Sequence, residues 1–107
     1  METQQVQLTY EPVRFERLAG EIRAIQRELA EVVEAAESDD GLIVATVNAR
    51  GDLTDLDVDP RVFRHPDSRA LTEAITGAYR SARAAADARA FDLTMRQLEL
   101  TRRESRQ

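Results

Sequence analysis

One stretch, Glu37 to Pro60 (ESDDGLIVATVNARGDLTDLDVDP), has a hydrophobic period of two in a chain whose other apolar residues recur every three or four. That difference limits the fold to a strand pair held between helices. Leu42, Val44 and Thr46 alternate with Ile43, Ala45 and Val47, which makes a strand apolar on both faces and predicts cover on both. The turn Asn48-Ala49-Arg50-Gly51-Asp52 follows, with Gly51 free to take a positive φ. In the next strand Thr54, Leu56 and Val58 point one way and Leu53, Asp55, Asp57 and Asp59 the other, the pattern of a half-buried strand with a wet face. Pro60 has no N–H to give to a ladder, so pairing ends there.

The flanks read as helices. Residues 1–11 show no period and are expected to be a flexible tail; Pro12 suits the first turn of a helix, where its missing N–H is no loss. Phe15, Leu18, Ile22, Ile25, Leu29 and Val32 then recur at heptad spacing and form one narrow seam, with Gly20 an interior weakness of about 1 kcal/mol relative to alanine. Beyond Glu31 the seam is lost. Either the helix runs to Ala36 or Val32–Glu37 is a short strand, and periodicity does not separate the two. After Pro60, Asp67 or Ser68 can cap a second helix whose inner positions Leu71, Ala74, Ile75, Ala78, Tyr79, Ala82, Ala85 and Ala86 are mostly small. Its period weakens after Ala90, so 12–90 is expected as the domain and 91–107 as a helical extension that frays.

Two helices around one hairpin in 107 residues enclose little core, which favours a homodimer. The chain has no cysteine, which excludes disulfides and thiolate metal sites. Neither a signal peptide nor an apolar run of about 20 residues is present, so a cytoplasmic location is expected. Net charge is −5, unevenly distributed: residues 32–60 carry eight acids against Arg50, and residues 61–107 carry ten arginines against six acids. The sheet is therefore acidic and the last helix basic, and all fifteen cations are arginine.

No arrangement of residues calls for catalysis or a cofactor. Asp55, Asp57 and Asp59 have the spacing that opens a calcium loop, but its required glycine and terminal acid fall on Pro60 and Pro66, so they read as a solvated strand face. His65 is the sole histidine and has no second ligand nearby in sequence; Ser68 has no base and reads as a cap; Gly41 and Gly51 stand alone rather than in a phosphate loop. No metal site and no enzyme activity are expected.

The run Asp40-Gly41-Leu42-Ile43-Val44-Ala45-Thr46-Val47-Asn48-Ala49-Arg50-Gly51-Asp52-Leu53, the strand end Asp57-Val58-Asp59-Pro60 and the alanine-rich Leu71–Ala86 together resemble the YbaB/EbfC family of bacterial nucleoid-associated proteins. The resemblance covers roughly residues 13–90. It departs at Ala49, where the pattern usually has glycine, and in a first helix without the usual lysine- and methionine-rich start, so positive charge must come from arginines. It implies an α+β fold of helix, three short antiparallel strands and long helix, with Val32–Glu37 the first strand. It also implies an intertwined, tweezer-like homodimer in the nucleoid, binding duplex DNA mainly through phosphates with little sequence readout.

Candidate DNA-contacting residues are Arg14, Arg17, Arg23 and Arg27, off the seam of the first helix, and Arg80, Arg83 and Arg89, between the alanines of the second. Arg27 with Glu31 and Arg83 with Asp87 could instead form ordinary i,i+4 pairs. Candidate dimer contacts are Leu18, Ile22, Ile25, Leu29, Leu42, Val44, Ile75, Ala78 and Ala82. The alternative partner is a protein, since relatives of this fold in actinobacteria are associated with specialised secretion systems and the acidic total suits such a role.

Overall fold

The computed structural model describes the backbone of residues 2–106 and the side chains of residues 13–103. The elements are α1 (Glu2–Ala30), β1 (Val33–Glu37), β2 (Ile43–Asn48), β3 (Leu53–Val58), a short 3-10 helix (Pro60–Arg64) and α2 (Ser68–Arg106). The strands form an antiparallel meander in the order β1-β2-β3. Helix, three strands and long helix make an α+β fold, and the segment left open between helix and strand is a strand from Val33 onward.

Both turns are built by short polar side chains. At the first, Asp40 Oδ1 accepts from Ser38 Oγ at 2.6 Å and from Leu42 N at 3.0 Å, while the buried Ser38 Oγ accepts from Ile43 N. At the second, Asn48 Oδ1 accepts from Arg50 N and Asp52 N, both at 3.0 Å, and Gly51 holds φ at +86° as its position required. A bulge at Thr46/Val47 gives β3 one extra residue near this turn.

The core is the contact of α2 with one face of the sheet. Ile43, Ala45 and Val47 are fully buried there, facing Ala78, Ala82 and Ala86, which are equally buried. Small side chains on the helix let its backbone approach β2 closely, and Leu71, Ile75, Leu56 and Val58 close the margin. Asp67 is the cap: its Oδ1 accepts from Arg69 N and Ala70 N, where either Asp67 or Ser68 had been expected.

Two expectations need correction. α1 begins at Glu2, so residues expected as a tail are helical, and Pro12 lies inside the helix, where it removes one i→i−4 bond without ending it. Within one chain the second face of β2 stays open, with Val44 and Thr46 half-exposed, because α1 runs beside α2 and not across the sheet; the cover expected there is a partner chain's. Ala78 and Ala82 cannot be dimer contacts, since their own sheet covers them completely, and Ile75 packs on the Ile43 cluster.

The seam of α1 is used in a gradient. Val32 is fully buried and Leu29 and Ile25 are half-buried, but Ile22, Leu18 and Phe15 are 46%, 54% and 72% exposed. The molecule measures 78 × 24 × 16 Å with a radius of gyration of 21.9 Å. A compact chain of this length would have a radius of about 13 Å. The two helices thus extend as an arm well beyond the sheet.

Candidate nucleic-acid interface

Every candidate arginine is exposed, but only one set is free of carboxylates. On α1, Arg14, Arg17, Arg23 and Arg27 take part in no ion pair among the described residues. Since each residue advances about 100° round a helix, Arg14 and Arg17 share one flank of the seam, and Arg23 and Arg27 lie together on the other side. A helix so decorated presents cations on both flanks while its apolar seam stays between them.

The α2 set does not converge. Arg89 Nη1 lies 3.2 Å from Glu34 Oε1 and ties α2 to β1. Arg83 folds over the β2–β3 turn, its guanidinium against Gly51. Arg80 stands nine residues from Arg89, about half a turn away round the helix, and so faces away from the sheet. Arg80 and Arg83 lie off the line of Ala78, Ala82 and Ala86, but Arg89, three residues from Ala86 and seven from Ala82, lies on it and so meets Glu34 of the sheet. The expected pairs Arg27–Glu31 and Arg83–Asp87 are absent among the described residues, where the i,i+4 pairs are Arg69–Glu73 and Glu99–Arg103.

Arg96 and Arg102 are exposed and unpaired among the described residues on the far half of α2, and the sequence reading did not single them out. Their signal was available only by continuing the helix past Ala90, where the apolar period fades.

The open face of the sheet has the opposite character. Register puts Val33, Ala35 and Glu37 of β1, Val44 and Thr46 of β2, and Asp55 and Asp57 of β3 on it, an apolar centre with an acidic border. Asp59 is turned elsewhere: it caps the 3-10 helix and meets Arg61 at 2.9 Å. The hydrogen bond from Arg61 lowers the Asp59 pKa and raises that of Arg61. Asp40 is likewise held below its ordinary value, first by the Ser38 hydroxyl and then by the Leu42 N–H. Among the described residues no group of three or more His, Asp or Glu side chains could hold a metal ion.

The profile of the YbaB/EbfC DNA-binding family matches residues 13–98, most of the chain. The chain belongs to that family. A nucleoid-associated protein of Corynebacterium jeikeium, jk2011, is 27% identical over 67 residues, 63% of this chain and 64% of that protein. A nucleoid-associated protein of Brucella ovis is 30% identical over 71 residues, 66% of each chain. This chain thus spans just under two thirds of the relatives it matches. The crystal structure of the uncharacterized protein HP0035 from Helicobacter pylori has the same fold, with a TM-score of 0.67 and 17% identity over 81% of this chain and 91% of that one. The YbaB/EbfC match includes the α1 arginines from Arg14 onward and continues past Ala90 to Leu98. No described helix is long and apolar enough to cross a membrane.

Proposed function

We propose that this chain is a homodimeric nucleoid-associated protein whose arm arginines grip the phosphates of duplex DNA with little readout of base sequence. Membership of a DNA-binding family supports the partner. The observation that carries the mode is the set of four exposed arginines on α1 that meet no carboxylate among the described residues. Long flexible cations on a helix side suit phosphate contacts, which position a protein without specifying sequence. The acidic border of the sheet repels a duplex, so DNA engages the arms. Dimerisation doubles the four arginines. The surfaces suited to it are the exposed end of the α1 seam, Leu18 and Ile22 with the half-buried Ile25 and Leu29, and the open sheet face around Val44.

Replacing Arg14, Arg17, Arg23 and Arg27 by alanine should weaken binding to all duplexes about equally and flatten the dependence of log affinity on log salt by up to about 7, if eight contacts are made. Replacing Arg89 should act mainly on stability, through Glu34. If the α1 variant binds as the parent does, the arms are not the DNA surface.

A second reading has one observation in its favour, the acidic border around the apolar centre of the open sheet face, which fits a basic protein partner. It becomes the working reading if no duplex is bound at about 50 mM salt.

A further inference from the structure

The far half of α2 has an apolar face that its own chain does not use. Leu93 packs on the Val32 cluster and Gln97 Nε2 donates to Glu28 Oε1 at 3.2 Å, so that side of α2 faces the sheet and α1. Phe91 and Met95 each lie two residues from Leu93, and Leu98 lies five, which places all three about 140–160° round the helix from it. They are 64%, 47% and 52% exposed. Steps of four and three residues put them in one narrow stripe.

Charges bracket the stripe symmetrically. Asp87 stands four residues before Phe91 and Arg102 four residues after Leu98, both exposed and neither ion-paired among the described residues. The order is acid, Phe, Met, Leu, Arg, with Phe and Leu equally far from a point between Thr94 and Met95.

We propose that this face, from Asp87 to Arg102, is a second self-association surface on which another copy of the chain docks antiparallel. A two-fold axis beside Thr94 and Met95 sets Phe91 of each copy against Leu98 of the other and Asp87 against Arg102, so every group meets its complement. Parallel docking would instead oppose Asp87 to Asp87 and Arg102 to Arg102, and like charges reject it. The sheet and α1 lie on the opposite side of α2, so nothing of the same chain intervenes. The stripe spans about 22 Å of helix. Three apolar anchors per side fall short of the roughly 1,200 Å² buried by standard interfaces, so the contact is weak and acts at high local concentration. This surface is separate from the dimer surfaces proposed above. With both in use, dimers link end to end, and dimers crowded on one duplex would be held to each other or to those on another.

The absence of cysteine allows a direct test. Phe91→Cys and Leu98→Cys versions of the full chain, mixed and oxidised, should form a disulfide between the two variants. Either variant alone should not cross-link, because two copies of position 91 would be about 10 Å apart along the axis, beyond the reach of a disulfide. In sedimentation at rising concentration the parent should grow past the dimer. Phe91→Glu should weaken that growth about tenfold or more with an unchanged circular dichroism spectrum. Asp87→Arg should weaken it as well, and the double variant Asp87→Arg/Arg102→Asp should restore it. Val44→Asp, aimed at the separate dimer, should leave the α2 contact able to join two chains. A parent of fixed mass at every concentration, growth that survives Phe91→Glu, a charge exchange that restores nothing, or cross-linking only within one variant or only to a foreign protein would each overturn the proposal.

Discussion

Gly51→Val tests how the hairpin is specified. Gly51 has φ +86°, donates its N–H to the Asn48 carbonyl at 3.0 Å and accepts the Tyr79 hydroxyl on its own carbonyl at 2.6 Å. A side chain at this φ costs about 1–2 kcal/mol. If the backbone escapes by rotating, the carbonyl loses Tyr79, and a hydrogen bond of this kind contributes about 0.5–1.5 kcal/mol. Crowding contributes less: a Cβ would lie 3.3 Å from Arg83 Nε, and that atom ends a flexible side chain that can swing out. The two costs are alternatives, so the loss is about 1–2 kcal/mol by either route, and a domain of this size loses about 4 °C or more of melting temperature per kcal/mol. Melting curves at one protein concentration read the effect cleanly, since the midpoint of an oligomer shifts with concentration. Gly51→Asn should cost clearly less, because asparagine tolerates positive φ. Tyr79→Phe should lose only the hydrogen-bond share. An unchanged midpoint for Gly51→Val, or Gly51→Asn melting as low, would refute the reasoning.

Other perturbations separate contacts within the chain from contacts between chains. Ile25→Asp puts a charge on the half-buried seam of α1 and should shift the mass in light scattering from dimer towards monomer; a dimer of undiminished strength would count against the seam. Ala78→Val overfills the fully buried contact with Ile43 and Ala45, and should cost about 1–3 kcal/mol in thermal unfolding while leaving the oligomeric state unchanged. Asp40 has a lowered pKa in the folded chain, from 3.8, so its contribution to stability is present above that value and lost as pH falls through the lowered one. Asp40→Asn should therefore melt below the parent near neutral pH, and the gap should narrow as pH falls below about 4.

The parts of the fold that depend on local pattern were legible in the sequence. The alternation from Leu42 to Val58, the positive φ at Gly51 and the cap near Asp67 follow from residue types at fixed offsets. Val32–Glu37 was not decidable by period, because six residues with two alanines fit a helix end as well as an edge strand; only pairing of Glu34 with Val47 and Ala36 with Ala45 makes it a strand. The start of α1 was misplaced because Pro12 is a good first residue, yet one lost hydrogen bond is tolerated in a long helix. Ala78 and Ala82 showed as an inner face, but period alone does not say whether that face meets its own sheet or a second chain. The same limit applied to Arg89, whose partner Glu34 is 55 residues away.

The most direct measurement of the central claim is the affinity of the parent chain for several unrelated duplexes, by gel shift or fluorescence anisotropy, as a function of salt. Arms that hold six to ten phosphates should bind all the duplexes about equally and lose about 10³–10⁵ in affinity between about 50 and 200 mM salt. No binding at the lower salt, or tight binding to one sequence that salt barely affects, would contradict the account.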